Sequence, residues 1–224
     1  MSATKLIELP LIAALALALG CQDHGGTHEV AASAEVALPA PSAAAAAPRC
    51  VPATLVAQRG TPTLDGQLDQ PVWHAARATD AFVDPRRAAP VPHTEARASF
   101  DDEALFIALY VADDDMRSTD RVRVEFGPDL GIEASPDRQL RCRLGAEGSC
   151  SALGIQAAFS VDGDVDSAAQ EDEEWVVTLR VPWRTLAPAG RPAELPVAFR
   201  RDNIAGGRAI STVWNRGCGA IRLE

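Results

Sequence analysis

Apolar and polar residues alternate in short blocks over most of the chain, and Pro, Gly and Asp cut the blocks, which is the pattern of antiparallel strands rather than helices. The clearest block is Ala104 to Ala112. Leu105, Ile107, Leu109 and Val111 fall on one face and Phe106 and Tyr110 on the other, so both faces of this strand are expected to be covered. Arg121 to Phe126 alternates Arg121, Arg123 and Glu125 with Val122, Val124 and Phe126, which predicts a strand with one wet face. Residues 175–181 repeat that logic, with Trp175, Val177, Leu179 and Val181 inward and Thr178 and Arg180 outward. Weaker alternation predicts strands at 51–57, 96–100, 138–144, 155–161, 195–200, 209–214 and 219–223. Such a series suits an all-β fold, a two-layer antiparallel β-sandwich of jelly-roll type. Helical turns are predicted only at 70–76, where Pro71 suits the first turn, and at 183–186.

The N-terminal residues break this pattern. One Lys, an apolar run over 9–19 and small residues before Cys21 have the layout of a secretory signal, and the run is too short to cross a bilayer as a helix. Leu17-Ala18-Leu19-Gly20-Cys21 resembles the bacterial lipoprotein signal, with Ala18 and Leu19 in reversed order. The resemblance implies a signal peptide over 1–21, lipidation of Cys21 and export to the cell envelope, periplasm-facing or at the cell surface. The membrane is then touched through that lipid alone. Residues 22–49 are dominated by Ala with Pro, Ser and Gly and hold no aromatic residue, so they bury too little to offset ordering entropy and are expected to form a disordered tether. Such a tether holds the domain over 50–224 on the order of 30 Å from its anchor.

Cysteine usage agrees with export. Besides Cys21 there are Cys50, Cys142, Cys150 and Cys218, an even number that allows three pairings. The favoured pairing joins Cys142 to Cys150 across a Gly-containing turn and Cys50 to Cys218 across the ends of the domain. A formal charge of -10 argues against a surface that neutralises nucleic-acid phosphates.

The most informative stretch is Thr63-Leu64-Asp65-Gly66-Gln67-Leu68-Asp69-Gln70-Pro71-Val72-Trp73, which predicts an Asp-Gly turn and then a short helix whose Trp73 caps one end of the core. It is followed by Thr94, by Asp101-Asp102-Glu103-Ala104-Leu105-Phe106-Ile107, by Asp113-Asp114-Asp115 and by Asp120 before Val122. Glu174-Trp175-Val176-Val177, Val181-Pro182-Trp183-Arg184-Thr185-Leu186, Ser211-Thr212-Val213-Trp214 and Gly219-Ala220-Ile221-Arg222-Leu223 complete the series. In this order the motifs resemble the family 9 carbohydrate-binding modules and their DOMON-like relatives, with Gln70 in place of the family's Glu. The resemblance runs from residue 51 to the end.

It implies a monomeric, non-catalytic module that holds a sugar ring between two exposed aromatic residues, often with bound calcium. Met116, Arg117 and Ser118 stand where the first aromatic residue is expected, and the loop after Trp214 is short. The carbohydrate-binding candidates are therefore Trp214 as a platform, Arg117, and the polar run Arg200, Arg201, Asp202 and Asn203. Trp73, Trp175 and Trp183 are expected in the core. For calcium, Asp162, Asp164, Asp166 and Glu173 have the ligand spacing of an EF-hand loop, with Ser167 where that loop needs Gly, and Asp113 and Asp115 offer a second cluster. No Gly-x-Ser-x-Gly, His-Glu-x-x-His or phosphate-binding Gly loop occurs, so no catalysis is expected. Two functions remain open: a binding module for a glycan or cell-envelope component, and a structural or protein-interaction lipoprotein that keeps the fold without the aromatic clamp.

Overall fold

The computed structural model describes residues 52–86, 92–127, 129–145, 148–167, 174–205 and 208–224. Cys21, Cys50, Glu173 and the signal and tether segments lie outside the described residues. The elements in chain order are β1 (Ala53–Arg59), α1 (Pro71–Ala75), β2 (Thr94–Phe100), β3 (Ala104–Ala112), β4 (Arg121–Phe126), β5 (Leu130–Ala134) and β6 (Leu140–Leu144). They continue with β7 (Gln156–Asp162), β8 (Glu174–Pro182), α2 (Trp183–Leu186), β9 (Glu194–Ala205), β10 (Arg208–Val213), a 3₁₀ turn (Trp214–Gly217) and β11 (Gly219–Leu223).

Two layers result. The first runs β2-β3-β8-β7 and the second β6-β5-β4-β9-β11, with β10 beside the far half of β9. Strand β1 joins them: its first half pairs with β11, Ala53 opposite Gly219 through Ala57 opposite Leu223, and its last two residues pair with Ser99 and Phe100 of β2. Both of these pairings are parallel, the exception to an otherwise antiparallel sandwich. Leu105, Ile107, Leu109 and Val111 from β3 and Trp175, Val177, Leu179 and Val181 from β8 meet Val122, Val124, Ile132, Val197 and Phe199 of the other layer in one buried core. The alternation in β3, β4 and β8 therefore decides which face each strand turns inward.

Trp73 departs from expectation. Pro71 opens α1 as the sequence indicates, but Trp73 does not cap the sandwich core. It is fully buried in a separate cluster with Ala76, Ala104, Phe106 and Ala108, against the outer face of the first layer. The small residues Ala104 and Ala108 leave the space that an indole fills. The Asp65-Gly66 turn covers the same face: Gly66 adopts φ +80 and its amide donates to Thr178 Oγ1 at 3.1 Å. A Cβ on Gly66 would stand 2.5 Å from the Phe159 carbonyl carbon and 2.7 Å from the Ser160 nitrogen, so the close approach and the positive φ both require glycine.

Strand β5 is not anticipated by the alternation, because Gly131 interrupts a block of only five residues. Strand β9 is longer than expected and carries the polar run 200–203 inside the strand, not in a loop. Cys142 is disulfide-bonded to Cys150, closing the segment after the edge strand β6. Cys218 is also disulfide-bonded, and its partner lies outside the described residues.

Candidate functional site

Strand periodicity divides the predicted polar run. Leu195, Val197 and Phe199 point inward, so Arg201 and Asn203 continue that row to the end of the sandwich, where they are 2% and 6% exposed. Arg200 and Asp202 point to the outer face, where Asp202 pairs with Arg123 at 3.2 Å. The four residues accordingly cannot line one concavity.

At the inner end, Arg201 clasps the two layers together. Its Nη1 donates to the Ala112 carbonyl at 2.8 Å and to Thr94 Oγ1 at 3.1 Å, and its Nη2 lies 3.1 Å from Asp113 Oδ2. Asn203 Nδ2 reaches Asp113 Oδ1 at 3.5 Å. Burial pushes the Asp113 carboxyl above its ordinary range against the pull of Arg201, and burial pulls Arg201 below the ordinary guanidinium range against Asp113 and Asp120. The void beside them, lined by Pro92, Arg201, Asn203, Ile210 and Thr212, measures about 10 Å³ and is no larger than one water molecule needs. A sugar ring cannot enter it.

Trp214 is 3% exposed and does not offer an open platform. Its ring lies 5.7 Å from that of Phe199, which in turn stacks on Phe82 at 6.3 Å. The 3₁₀ turn that begins at Trp214 holds Asn215 and Arg216 at positive φ, and this reversal folds the indole under Gly219. Trp73, Trp175 and Trp183 are buried as expected.

The acidic candidates are engaged by protein groups. Asp115 forms an ion pair with Arg117, whose amide donates to Asp120 Oδ2 at 2.8 Å. Asp166 accepts the Ser118 amide at 3.0 Å, and hydrogen bonds from Ser118 hold its carboxyl below the usual range. The loops carrying Asp113, Asp115, Arg117 and Asp166 thus meet at one end of the sandwich. Asp162 and Asp164 stay exposed. Among the described residues, no group of three or more His, Cys, Asp or Glu side chains is arranged to hold a metal ion.

An open surface with charged walls lies elsewhere, on the outer face of the second layer. There Arg141 of β6, Glu133 of β5, Arg123 of β4 and Arg200 of β9 form one row across four strands. The next row is Arg143, Gly131, Glu125 and Ala198. The small residues Gly131 and Ala198 make the second row a floor and the long side chains of the first make a bank. A trough of about 400 Å³ lies over Gly131, bounded by Arg123, Glu125, Glu133, Arg141 and Arg143. It shares Glu125 with a second hollow of about 350 Å³ that continues over Ala198 and Pro196 to Gly217 and Gly219. With strands about 4.8 Å apart, the four-strand floor is about 14 Å long.

Glu133 organises the bank. It receives Arg121 at 3.2 Å, Arg123 at 3.0 Å and Arg141 at 3.8 Å. Arg143 and Arg200 are exposed and form no side-chain hydrogen bond or ion pair among the described residues. The Arg143 guanidinium lies across the floor, its Nη2 3.4 Å from where a Gly131 Cβ would stand. Sequence reasoning found the wet face of β4 but not this site, whose other half comes from β5 and β6. The spaced pair Arg141 and Arg143 was the available signal.

No protein-family profile and no curated protein matches the chain. Solved structures do. A family 9 carbohydrate-binding module from Caldicellulosiruptor kristjanssonii in complex with cellotriose aligns at 14% identity and a TM-score of 0.54, over 77% of this chain and 94% of that one. A family 9 carbohydrate-binding module from the same organism in complex with glucose aligns at 14% identity and a TM-score of 0.53, over 77% of this chain and 96% of that one. A Bacteroides uniformis protein aligns at 11% identity and 0.54, over 76% and 99%. The described domain has the fold of the family 9 carbohydrate-binding modules.

Proposed function

We propose that this chain is an exported, membrane-tethered, non-catalytic module that binds a saccharide of a glycan or cell-envelope component in the trough on its second layer. The observation that carries the reading is the pair of adjoining open hollows that meet at Glu125, between Arg143 and Gly219, edged by guanidinium and carboxylate groups of the kind that hydrogen-bond sugar hydroxyls. The fold likeness to modules solved with cellotriose and glucose supports saccharide binding without catalysis. The signal-like segment ending at Cys21 and the Ala-rich residues after it support a lipid anchor and a tether.

A glycan panel and polysaccharide pull-down with the full chain tests the binding. Gly131→Ile fills the floor without a positive-φ penalty and replaces a strand glycine with a strand former, so stability holds while binding is lost. Retained binding in that variant places the site elsewhere. Incorporation of labelled palmitate, abolished by Cys21→Ser, tests the anchor. A second reading, a protein-interaction lipoprotein, is favoured by the burial of all four tryptophans, which leaves no indole to stack on a sugar. Silence across the glycan panel selects it.

A further inference from the structure

We infer that the trough selects an acidic polysaccharide, one that carries carboxylates at intervals along its chain; this rests on the saccharide-binding reading of the same surface. The outer rows hold Arg121, Arg123, Arg141, Arg143 and Arg200 against Glu125, Glu133 and Asp202, a local surplus of cations on a chain of net charge -10. The surplus is not distributed evenly. Glu133 and Asp202 are already occupied by Arg121, Arg123 and Arg141, so the uncompensated cations are Arg143 and Arg200. These two stand at opposite ends of adjacent rows, three strand spacings and two residues apart, about 16 Å between backbones.

The rest of the surface decides between neutral and acidic ligands. The trough is lined by no aromatic residue, so a neutral sugar finds there only hydroxyl hydrogen bonds made in competition with water. Charge-assisted bonds from a planar guanidinium to a carboxylate are stronger, and their forked geometry fixes the ligand's orientation. Glu125, on the floor between the two free arginines, accepts from ring hydroxyls while the acid groups lie at either end. A carboxylate over Glu125 is repelled, so the acid groups that the surface engages are those that reach Arg143 and Arg200.

The test compares polygalacturonate with its fully methyl-esterified form, which keeps the backbone and removes the charge, by calorimetry on the full chain. Polygalacturonate is expected to bind about tenfold or more tightly than the ester. Arg143→Gln with Arg200→Gln is expected to erase that preference and leave the melting temperature unchanged. Equal affinity for the two forms, or a double variant that keeps the preference, overturns the inference. Duplex DNA bound as tightly and with the same arginine dependence also overturns it, as does self-association of the free chain that these substitutions abolish. If neutral glucan alone binds and Gly131→Ile abolishes it, the saccharide reading stands and acidic selection falls. If no glycan binds, both fall.

Discussion

Gly219→Ala and Trp214→Ala together test whether the one tryptophan singled out as a sugar platform is part of the core. A Cβ at Gly219 would stand 2.7 Å from Trp214 Cε3 and 3.0 Å from Cη2, with Cζ3 closer still, where ordinary carbon contacts need about 3.5–4.0 Å. The ring cannot slide away, since Phe199 and behind it Phe82 occupy the other side. Alanine at 219 therefore costs about 2–3 kcal/mol by overpacking. Removing the ring in Trp214→Ala leaves a cavity that costs about 3–5 kcal/mol. In the double variant the new methyl group occupies vacated space, so the total falls about 2 kcal/mol short of the sum. Urea unfolding followed by far-UV circular dichroism measures all three variants independently of tryptophan fluorescence. Additivity within about 0.5 kcal/mol, or a Trp214→Ala cost under about 1 kcal/mol, refutes the packing argument. Saccharide binding by folded Trp214→Ala protein should equal that of the parent, and its loss would restore the ring to the site.

Asp113→Ala leaves Arg201 buried without its counter-ion and should cost about 3–5 kcal/mol in the same assay, whereas Arg201→Met costs less because Asp113 can take up a proton. Asp101 is raised by burial but lowered further by hydrogen bonds from the Glu103 and Ala104 amides and from Thr61, for a net depression. Its share of stability is present above pH 3.8 and lost as pH falls through the lower folded value, so Asp101→Ala should cost, after solvent screening, no more than about 1 kcal/mol at neutral pH and progressively less in acid titrations. Gly66→Ala forces a side chain at positive φ into the backbone of Phe159 and Ser160 and should cost on the order of 3 kcal/mol by thermal unfolding. Cys142→Ser opens the disulfide loop, whose ends are separated by 8 positions, and should lower stability by roughly 2.5 kcal/mol without reductant and by nothing with it.

Uninterrupted alternation at Leu105 to Val111, Val122 to Phe126 and Trp175 to Val181 declares both the strand and its inward face, and the weaker blocks at 51–57, 96–100, 138–144, 155–161, 195–200, 209–214 and 219–223 also fall on strands. What escaped has physical causes. Gly131 contributes no side chain to a period-two pattern, so the strand that bears it is invisible, and the same missing side chain makes the trough floor. Arg200 to Asn203 look like a solvated loop because four polar residues in sequence carry no apolar signal. Thr94, the Ala112 carbonyl and Asp113, distant in sequence, hold Arg201, and Asp113 also reaches Asn203, so the strand continues past the apolar row. Trp214 stands beside Asn215 and Arg216, which suggests exposure, but their positive φ values turn the indole inward. The motif order identified the architecture because it rests on turns and core residues. It did not locate the ligand surface, where side chains from four strands combine and no contiguous segment carries the pattern.

Among the described residues strand β6 is an edge, hydrogen-bonded to β5 alone, and it bears both Arg141 and Arg143. Cys142, which lies between those two arginines in sequence, is bonded to Cys150 and ties this margin to the segment that follows. Thiols remain reduced in a cytosol and oxidise beyond it. In an oxidising space the bond fastens the margin that carries both arginines, and under reducing conditions the edge strand loses that covalent tie to residue 150.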